Sequence, residues 1–379
     1  MQRVTAARAA TLMVTSAVAA AVAYAAPAHA GGWNVQRLPR APGGTLVGVS
    51  CVSARACMAV GSYSGHTSRV LTMRWNGVRW SIVPARLPPG AVQGGFNDVS
   101  CFSARACTAV GDYDLNARQT NVLVERWNGS RWSIQHAPNR PGVPASLLSS
   151  VSCASRLACT AVGESGSPSN SPPFVLAERW NGAAWSVQPI PSAGGLEGFL
   201  AGVSCTSRNA CTAVGAAAHG HPRVERWDGR AWKSQRAPGV GKSDQAFFSA
   251  VSCTSARTCT AVGTDGTSAA LLPLAQGWNG HRWSSQRAQF AGDDFTSVSC
   301  TSARACTAVG DAEGGSQTLA AGWDGSRWSL QAAPQAPGAA TNYTLFDVSC
   351  TARSVCVAVG GITNASDGRA AGPLVARRS

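Results

Sequence analysis

The chain has 379 residues, which is too long for an ordinary single globular domain but typical of a closed array of repeats. Its formal net charge is +14, carried almost entirely by arginine. High arginine together with high alanine is also a mark of a GC-rich genome, so the charge alone does not indicate a nucleic-acid partner. Beyond residue 30 no stretch approaches eighteen consecutive apolar residues, which excludes a further transmembrane helix.

The N-terminal segment has the features of a secretory signal peptide. Two arginines precede an alanine-rich apolar run from Ala9 to Ala26, and Ala28-His29-Ala30 follows as an A-x-A cleavage site. A membrane anchor is the rival interpretation, but alanine inserts weakly into a bilayer and the cleavage site follows at once. We therefore expect a signal peptide over 1–30 and a secreted, extracellular chain over 31–379, for which nucleic acid is not an expected partner.

One motif recurs seven times with a period of about fifty residues. A clear copy runs from Val99 to Trp132: it opens with Val-Ser-Cys-Phe-Ser-Ala-Arg-Ala-Cys-Thr-Ala-Val-Gly and closes with Glu-Arg-Trp-Asn-Gly-Ser-Arg-Trp. A fixed period of this length indicates a repeat architecture.

All 14 cysteines lie in these repeats, two in each, and five residues separate the members of every pair. In an exported protein this even count predicts local disulfides. Zinc sites usually have two to four residues between paired ligands and need a second pair, so zinc is not expected. The predicted disulfides are Cys51–Cys57, Cys101–Cys107, Cys153–Cys159, Cys205–Cys211, Cys253–Cys259, Cys300–Cys306 and Cys350–Cys356.

Each repeat predicts four short strands, called a to d. Strand a ends at the first cysteine, strand b runs from the second cysteine to a glycine, strand c precedes the first tryptophan and strand d begins at the second. Asn-Gly or Asp-Gly stands between c and d, which favours a tight hairpin turn. Four antiparallel strands repeated seven times predict an all-β, seven-bladed β-propeller without helices.

The two ends of the chain complement each other. Trp33-Asn34-Val35-Gln36 matches strand d of a repeat, whereas the seventh repeat stops near Arg377, before its own Trp-Asn-Gly. The 13 tryptophans agree, because six full repeats hold two each and Trp33 is left over. The sequence therefore predicts a ring that is closed when the N-terminal strand completes the last blade.

The Trp-Asn-Gly-x-x-Trp corner resembles the Asp-box turn of sialidase-type propellers, although tryptophan stands where that box has its Asp. The repeat length is similar to that of kelch propellers, but the doubled glycine of kelch strand b is missing. The whole chain looks most like secreted bacterial propellers with cysteine-paired repeats. That resemblance implies the seven-bladed fold and no particular activity.

A unique site should lie where the repeats differ from one another. The b–c and d–a connections share one face and vary, whereas the a–b and c–d turns share the other face and are uniform. The variable face carries acidic and aromatic residues after the strand b glycine and at the start of one strand a. We expect a ligand at Tyr63, Asp112, Tyr113, Glu164, Asp294 and Asp311, with the acids of strand b facing one another around the axis.

Catalytic motifs are weak in this sequence. No G-x-S-x-G elbow occurs, and no tyrosine pairs with a glutamate as sialidase chemistry would need. His219 and His221 sit in a short b–c loop without an obvious third metal ligand. The first hypothesis is a monomeric, non-catalytic binding protein without cofactor or metal, for a glycan, a cell-wall or cell-surface polymer, or a protein partner. A secreted glycoside hydrolase or lyase with carboxylates on the same face is the alternative, and a purely structural envelope protein is the third hypothesis.

Each a–b turn also contains an arginine, which offers a ring of guanidinium groups to an anionic polymer. The favoured interpretation is a turn residue whose stem packs beside the disulfide while its head stays in water. The residues are Arg55, Arg105, Arg156, Arg208, Arg257, Arg304 and Arg353.

Overall fold

The computed structural model describes the β-rich part of the chain, and no α-helix occurs among the residues it describes. It therefore contains no helix long and apolar enough to cross a bilayer, within the same residues. The described residues are 32–64, 69–166, 173–191, 197–217, 220–238, 245–267, 270–286, 288, 290, 294–312, 317–335, 341–364 and 366–379.

The 28 strands fall into units of four, and each unit corresponds to one sequence repeat. In chain order they are β1 (Asn34–Val35); unit 1, β2 (Gly44–Ser53), β3 (Ala56–Tyr63), β4 (Arg69–Trp75) and β5 (Trp80–Ile82); unit 2, β6 (Gln93–Ser103), β7 (Ala106–Asn116), β8 (Gln119–Trp127) and β9 (Trp132–Ile134); unit 3, β10 (Ala145–Ser155), β11 (Ala158–Gly166), β12 (Phe174–Trp180) and β13 (Trp185–Val187); unit 4, β14 (Gly198–Ser207), β15 (Ala210–Ala217), β16 (His221–Trp227) and β17 (Trp232–Gln235); unit 5, β18 (Gln245–Ser255), β19 (Thr258–Thr267), β20 (Ala270–Trp278) and β21 (Trp283–Ser285); unit 6, β22 (Asp294–Ser302), β23 (Ala305–Ala312), β24 (Gln317–Trp323) and β25 (Trp328–Leu330); and unit 7, β26 (Thr341–Ala352), β27 (Val355–Asn364) and β28 (Ala370–Arg378).

Every unit is an antiparallel sheet in the order a, b, c, d. Units 2 and 3 share one eight-stranded sheet because a single parallel pair, Ala145 with Thr120, joins them. Unit 7 has no strand d of its own, and β1 takes that place: Asn34 pairs with Arg377 and Val35 with Ala376. The N-terminal strand therefore pairs where the sequence predicted.

The seven predicted disulfides are confirmed. Each joins two cysteines that lie directly opposite each other on strands a and b, with Cα atoms 3.9–4.0 Å apart. Strand a continues two residues past its cysteine, so the strands are longer than predicted. The disulfide therefore staples a ladder that is already paired on both sides.

The c–d turn differs from the tight hairpin that the sequence predicted. In unit 1, Trp75 pairs with Trp80, so four residues connect the strands and the Asn-Gly dipeptide opens this connection. The Asn76 Oδ1 accepts hydrogen bonds from the backbone N–H of Val78 and Arg79, at 3.0 and 2.9 Å. An asparagine or aspartate is needed here for its side-chain acceptor, while Gly77 supplies a φ of +95°.

The apolar core lies between consecutive units rather than inside each one. Strand a places a leucine or phenylalanine at the centre of each boundary, five residues before the cysteine. Leu46, for example, packs with Val357 and Val375 of unit 7. The paired tryptophans of each c–d corner, with ring centroids 5.7–6.0 Å apart, close the outer end of these clusters.

The inner strands are joined to each other by a repeated side-chain bond. The backbone N–H of each first cysteine donates to the Oγ of a serine on strand a of the preceding unit, at 2.9–3.0 Å. The same bond links the two ends of the array, because Cys51 N–H donates to Ser349 Oγ. The Val-Ser-Cys motif is therefore a connector between units.

Candidate functional site: the central cavity and the loop face

Two surfaces are defined by the connections between strands. The loop face carries the b–c and d–a connections, and the turn face carries the a–b and c–d turns. On the loop face, the rings of Tyr63 and Tyr113 pack against apolar clusters at unit boundaries. Tyr63 also lines a surface pocket of about 560 Å³ with Arg69 and Leu87, and burial raises the pKa of its hydroxyl.

One of the predicted acids of strand b, Asp112, is connected to the next unit through a hydrogen-bonded asparagine. Asn97 Nδ2 donates both to Asp112 Oδ1 at 3.1 Å and to the Leu148 carbonyl of unit 3 at 3.0 Å. In unit 1 the equivalent Ser62 contacts Gly95 of unit 2. Asp112 and Ser62 therefore both lie close to the next unit, and the expected arrangement of Asp112, Glu164 and Asp311 around the axis stays a prediction.

Two further predicted residues lie next to each other in unit 6. Asp294 and Asp311 are paired opposite each other on β22 and β23, and the Asp311 N–H donates to Asp294 Oδ1 at 3.3 Å. Burial raises the pKa of both Asp112 and Glu164. A ligand-binding role for these residues stays a prediction.

A cavity of about 260 Å³ lies at the centre of the molecule, and strand a of every unit contributes to its wall. Each strand a has a register shift just before its Val-Ser-Cys motif. At this shift two successive residues of strand a lie opposite a single residue of strand b. Such a β-bulge re-aims side chains, and bulges are common next to functional sites. The seven bulge pairs are Val47-Gly48, Asn97-Asp98, Ser149-Ser150, Ala201-Gly202, Ser249-Ala250, Thr296-Ser297 and Phe346-Asp347.

Two carboxylates in this wall connect neighbouring units. Asp98 Oδ2 accepts from Ser150 Oγ and from the Val151 N–H of unit 3, both at 2.8 Å. Asp347 accepts from Ser297 Oγ at 2.5 Å and from the Val49 N–H of unit 1 at 2.6 Å. The two acids therefore flank unit 1.

Unit 1 contributes Gly48 between these acids, and a Cβ added there would lie 2.8 Å from the Asp98 Cα. The absence of a side chain lets the inner strands of units 1 and 2 approach closely.

Both carboxylates lie deep in the molecule but keep exposed surface inside the cavity. Burial raises the pKa of Asp98 to about 7, and the negative charge of Asp347 adds to the shift. Burial likewise raises the pKa of Asp347 to about 6, against the effect of its hydrogen-bond donors. Burial therefore favours the protonated form of both carboxyl groups.

Two further hydroxyls face the cavity. Ser149 and Ser249 occupy the same bulge position in units 3 and 5, and no hydrogen bond to another described residue engages either Oγ. A small polyhydroxyl or amide ligand could exchange hydrogen bonds with them and with the free lone pairs of the carboxylates.

Sequence reasoning missed this cavity, although a signal was present. The residues on either side of each bulge pair are nearly constant, with leucine or phenylalanine before it and valine after it, whereas the pair itself changes from unit to unit. A search for divergent positions inside the strands, rather than only in the loops, would have found it.

Metal binding finds no support within the described ranges, where no group of three or more His, Cys, Asp or Glu side chains is arranged to hold an ion. His219, one of the two imidazoles considered from the sequence, lies outside the described residues, and His221 begins β16.

Comparison with known proteins shows the fold. The chain resembles YCF48 bound to a D1 peptide, with a TM-score of 0.58 and 13% identity over 92% of this chain and 97% of that one. It also resembles YCF48 from Cyanidioschyzon merolae (TM-score 0.56, 14% identity, 91% and 98% covered) and the WD40 β-propeller domain of Doa1 (TM-score 0.58, 12% identity, 92% and 97% covered). The chain is a β-propeller.

No protein-family model and no curated protein sequence matches the chain. The predicted all-β propeller is confirmed by these structural similarities and by the four-stranded units, and identities of this size carry the fold alone.

Proposed function

We propose that the propeller is a closed ring of seven blades, exported from the cell and completed by β1. Support comes from β1 pairing with β28, from Cys51 bonding to Ser349, and from Arg377, whose guanidinium lies 5.3 Å from the Trp75 ring centroid. Seven disulfides suit an oxidising compartment.

We infer that this ring is a non-catalytic binding protein that takes its ligand at the central cavity and the loop face. One observation carries the inference: the bulge pairs of the inner strands differ from unit to unit, and residues of all seven pairs line one cavity. The cavity is slightly smaller than ordinary ligand pockets, so it suits one polar group or sugar unit rather than a long chain. A glycan or cell-surface polymer that presents such an end group is the proposed ligand.

A binding screen of the mature protein, residues 31–379, against glycans and cell-wall polymers tests this function. Ser149→Ala with Ser249→Ala should weaken binding of any ligand found by roughly tenfold, because two free hydroxyls are lost. The melting temperature should not change, since neither hydroxyl engages another described residue.

Asp112→Ala with Glu164→Ala tests whether the loop face also contributes to binding. Arg257→Gln on the turn face is the control. A ligand that is indifferent to both the cavity and the loop variants would contradict the proposed site.

A secreted glycoside hydrolase or lyase is the second candidate, because Asp98 and Asp347 are two carboxylates with raised pKa values in one cavity. Such pairs serve as acid and nucleophile or base in glycosidases. Turnover of a bound glycan that is abolished by either Asp98→Asn or Asp347→Asn, with binding retained, would favour the enzyme. Binding without turnover favours the first candidate.

A further inference from the structure

Among the described residues, the large exposed apolar side chains of the turn face lie in one sector. Val52, Val78, Phe102 and Leu157 are 37, 83, 52 and 63% exposed, and all four lie in the a–b or c–d turns of units 1–3 or at the strand end next to such a turn. In units 4–7 the position that follows the first cysteine is threonine instead, at Thr206, Thr254, Thr301 and Thr351.

These side chains lie on adjacent units. Strands a of units 1, 2 and 3 are joined by the Cys101–Ser50 and Cys153–Ser100 hydrogen bonds, so Val52 and Phe102 leave neighbouring strand ends. Leu157 of unit 3 shares a surface pocket with Asn128 of unit 2. The four residues and the arginines between them are called the apolar–arginine sector.

The arginines of this sector have no acidic partner. Arg55, Arg79, Arg105, Arg131 and Arg156 are exposed, and the structure shows no ion pair for any of them with a described residue. The a–b and c–d turns of units 1–3 contain no Asp or Glu at all. In units 4 and 6, by contrast, Asp228 pairs with Lys233 and Asp324 with Arg327.

The arginine stems are held in place rather than free in water. A Cβ added to Gly77 or Gly129 would lie 3.1 or 2.9 Å from side-chain carbons of Arg55 or Arg105, so each stem crosses the c–d turn of its own unit. The stems therefore contact the c–d turn, while the expected packing beside the disulfide stays a prediction.

We propose that the apolar–arginine sector docks on an anionic lipid bilayer from the extracytoplasmic side. Guanidinium groups pair with lipid phosphates, while aliphatic and aromatic tips enter the headgroup boundary. A soluble polyanion would match the arginines but would leave the four apolar tips in water. A second copy of the chain would bring two basic sectors together, which like charge opposes.

Vesicle co-sedimentation with the mature protein tests the proposal. The chain should bind vesicles of phosphatidylglycerol and phosphatidylcholine mixed 1:1, should bind pure phosphatidylcholine far less, and should be released by salt. Arg55→Gln with Arg105→Gln should lower the partition coefficient about fivefold for each arginine.

A triple variant separates lipid from other anions. Val52→Thr and Phe102→Thr introduce the threonine that units 4–7 have at this position, and Leu157→Asn introduces the asparagine of unit 4, Asn209, so folding should be unaffected. Vesicle binding should fall roughly tenfold or more because the inserting groups are lost. Arg257→Gln with Arg304→Gln, the same position in units 5 and 6, is the matched control and should change binding little.

Three outcomes would overturn the proposal. Equal binding to phosphatidylcholine vesicles would remove the role of charge. Binding to inorganic polyphosphate that the triple variant leaves intact, with vesicle binding equally intact, would assign the sector to a soluble polyanion. Dimerisation that the triple variant abolishes, without vesicle binding, would assign it to a second copy.

Discussion

The inner strands contribute both to the boundaries between units and to the wall of the central cavity, but their residues recur at the boundaries and differ in the cavity. At the boundaries the same bonds recur: serine hydroxyls accept from cysteine N–H groups, and a strand c arginine lies over the next unit's tryptophan, as Arg179 does over Trp227 at 4.1 Å. In the cavity each unit presents a different pair. The repeated residues therefore hold neighbouring units together, and the divergence of the cavity residues is the reason for the ligand site that we propose there.

The strongest test of the boundary side is Trp33→Ala. Trp33 is 8% exposed and packs with Leu345 and Leu374 of unit 7, so its loss should cost about 3–5 kcal/mol and lower the melting temperature sharply. Val35→Ala is the control, because Val35 lies on the same strand but is 49% exposed. A neutral Trp33→Ala variant would show that closure by β1 does not stabilise the fold.

One buried position of strand c is an exception to this comparison, because its residue differs between units although it does not line the cavity. It is occupied by Glu225 in unit 4, where Arg223 lies 2.9 Å away and both side chains are buried. Glu225→Gln would remove the carboxylate charge from this buried ion pair, and urea unfolding should show a loss of stability of up to about 3–5 kcal/mol. An unchanged midpoint would mean that solvent reaches this pair.

The same substitution in unit 3 should have the opposite sign. Glu178 is fully buried, neither carboxylate oxygen has a hydrogen-bond partner among the described residues, and burial raises its pKa to about 8. The equivalent Gln276 donates to the Pro238 carbonyl, and Pro138 is the corresponding residue for Glu178.

Ionisation of Glu178 therefore opposes folding. Because its folded pKa lies above the unfolded value of 4.5, the wild type should lose stability as the pH rises from about 4.5 to 8. Glu178→Gln should stabilise the protein by up to a few kcal/mol above pH 8 and by little at pH 4. Parallel pH profiles of the two proteins would contradict this account.

Removal of a disulfide, which joins strands a and b within one unit, should have a smaller effect on stability. Cys101→Ser with Cys107→Ser opens a loop of seven residues, and the chain-entropy model gives a cost of about 2 kcal/mol. The loss should be modest because the same residues stay paired in the strand ladder. Chemical denaturation measures it, and a variant that fails to fold would show that the disulfides act together.

The smallest effect is expected in the cavity itself. The folded pKa values of Asp98 and Asp347 exceed the unfolded value of 3.8, so the wild type should lose stability between about pH 4 and pH 7. Asp98→Asn with Asp347→Asn should flatten this loss, but the net gain at pH 8 should be only about 1–2 kcal/mol, because an amide cannot accept all the hydrogen bonds that each carboxylate accepts. A steeper profile in the variant would show that the two carboxylates stabilise the ring when ionised.

Sequence patterns predicted the parts of the fold that depend on neighbours along the chain. The cysteine spacing gave the disulfides, and the tryptophans gave the ends of strands c and d. For other repeated residues the sequence showed the repetition but not its structural cause. The strand b glycine, for example, is required because a Cβ at Gly61 would lie 2.0 Å from the Thr45 carbonyl oxygen across the bulge.

The functional candidates depended on contacts that periodicity does not encode. The hydrogen bond from Asn97 to Asp112, and the one from Asn97 to unit 3, could not be predicted from the sequence. Asp98 was missed because its divergence shows only when the repeats are aligned with one another, while nothing within its own strand distinguishes a bulged residue from a regular one. The arginine of the repeated Glu-Arg-Trp likewise had no evident role in the sequence. In the structure its guanidinium group stacks on a tryptophan ring of the following unit, as seen for Arg126, Arg179 and Arg226.

The sequence by itself determined the repeat, its four strands, its disulfides and the matching ends, because each follows from residue spacing and strand alternation within some fifty residues. Tertiary structure alone decided which side chains converge from different units. Bulges turn residues about fifty positions apart into one cavity wall, and packing between units separates buried acids from exposed arginines. These contacts between units arise only when the units pack side by side, and no pattern within one repeat predicts them.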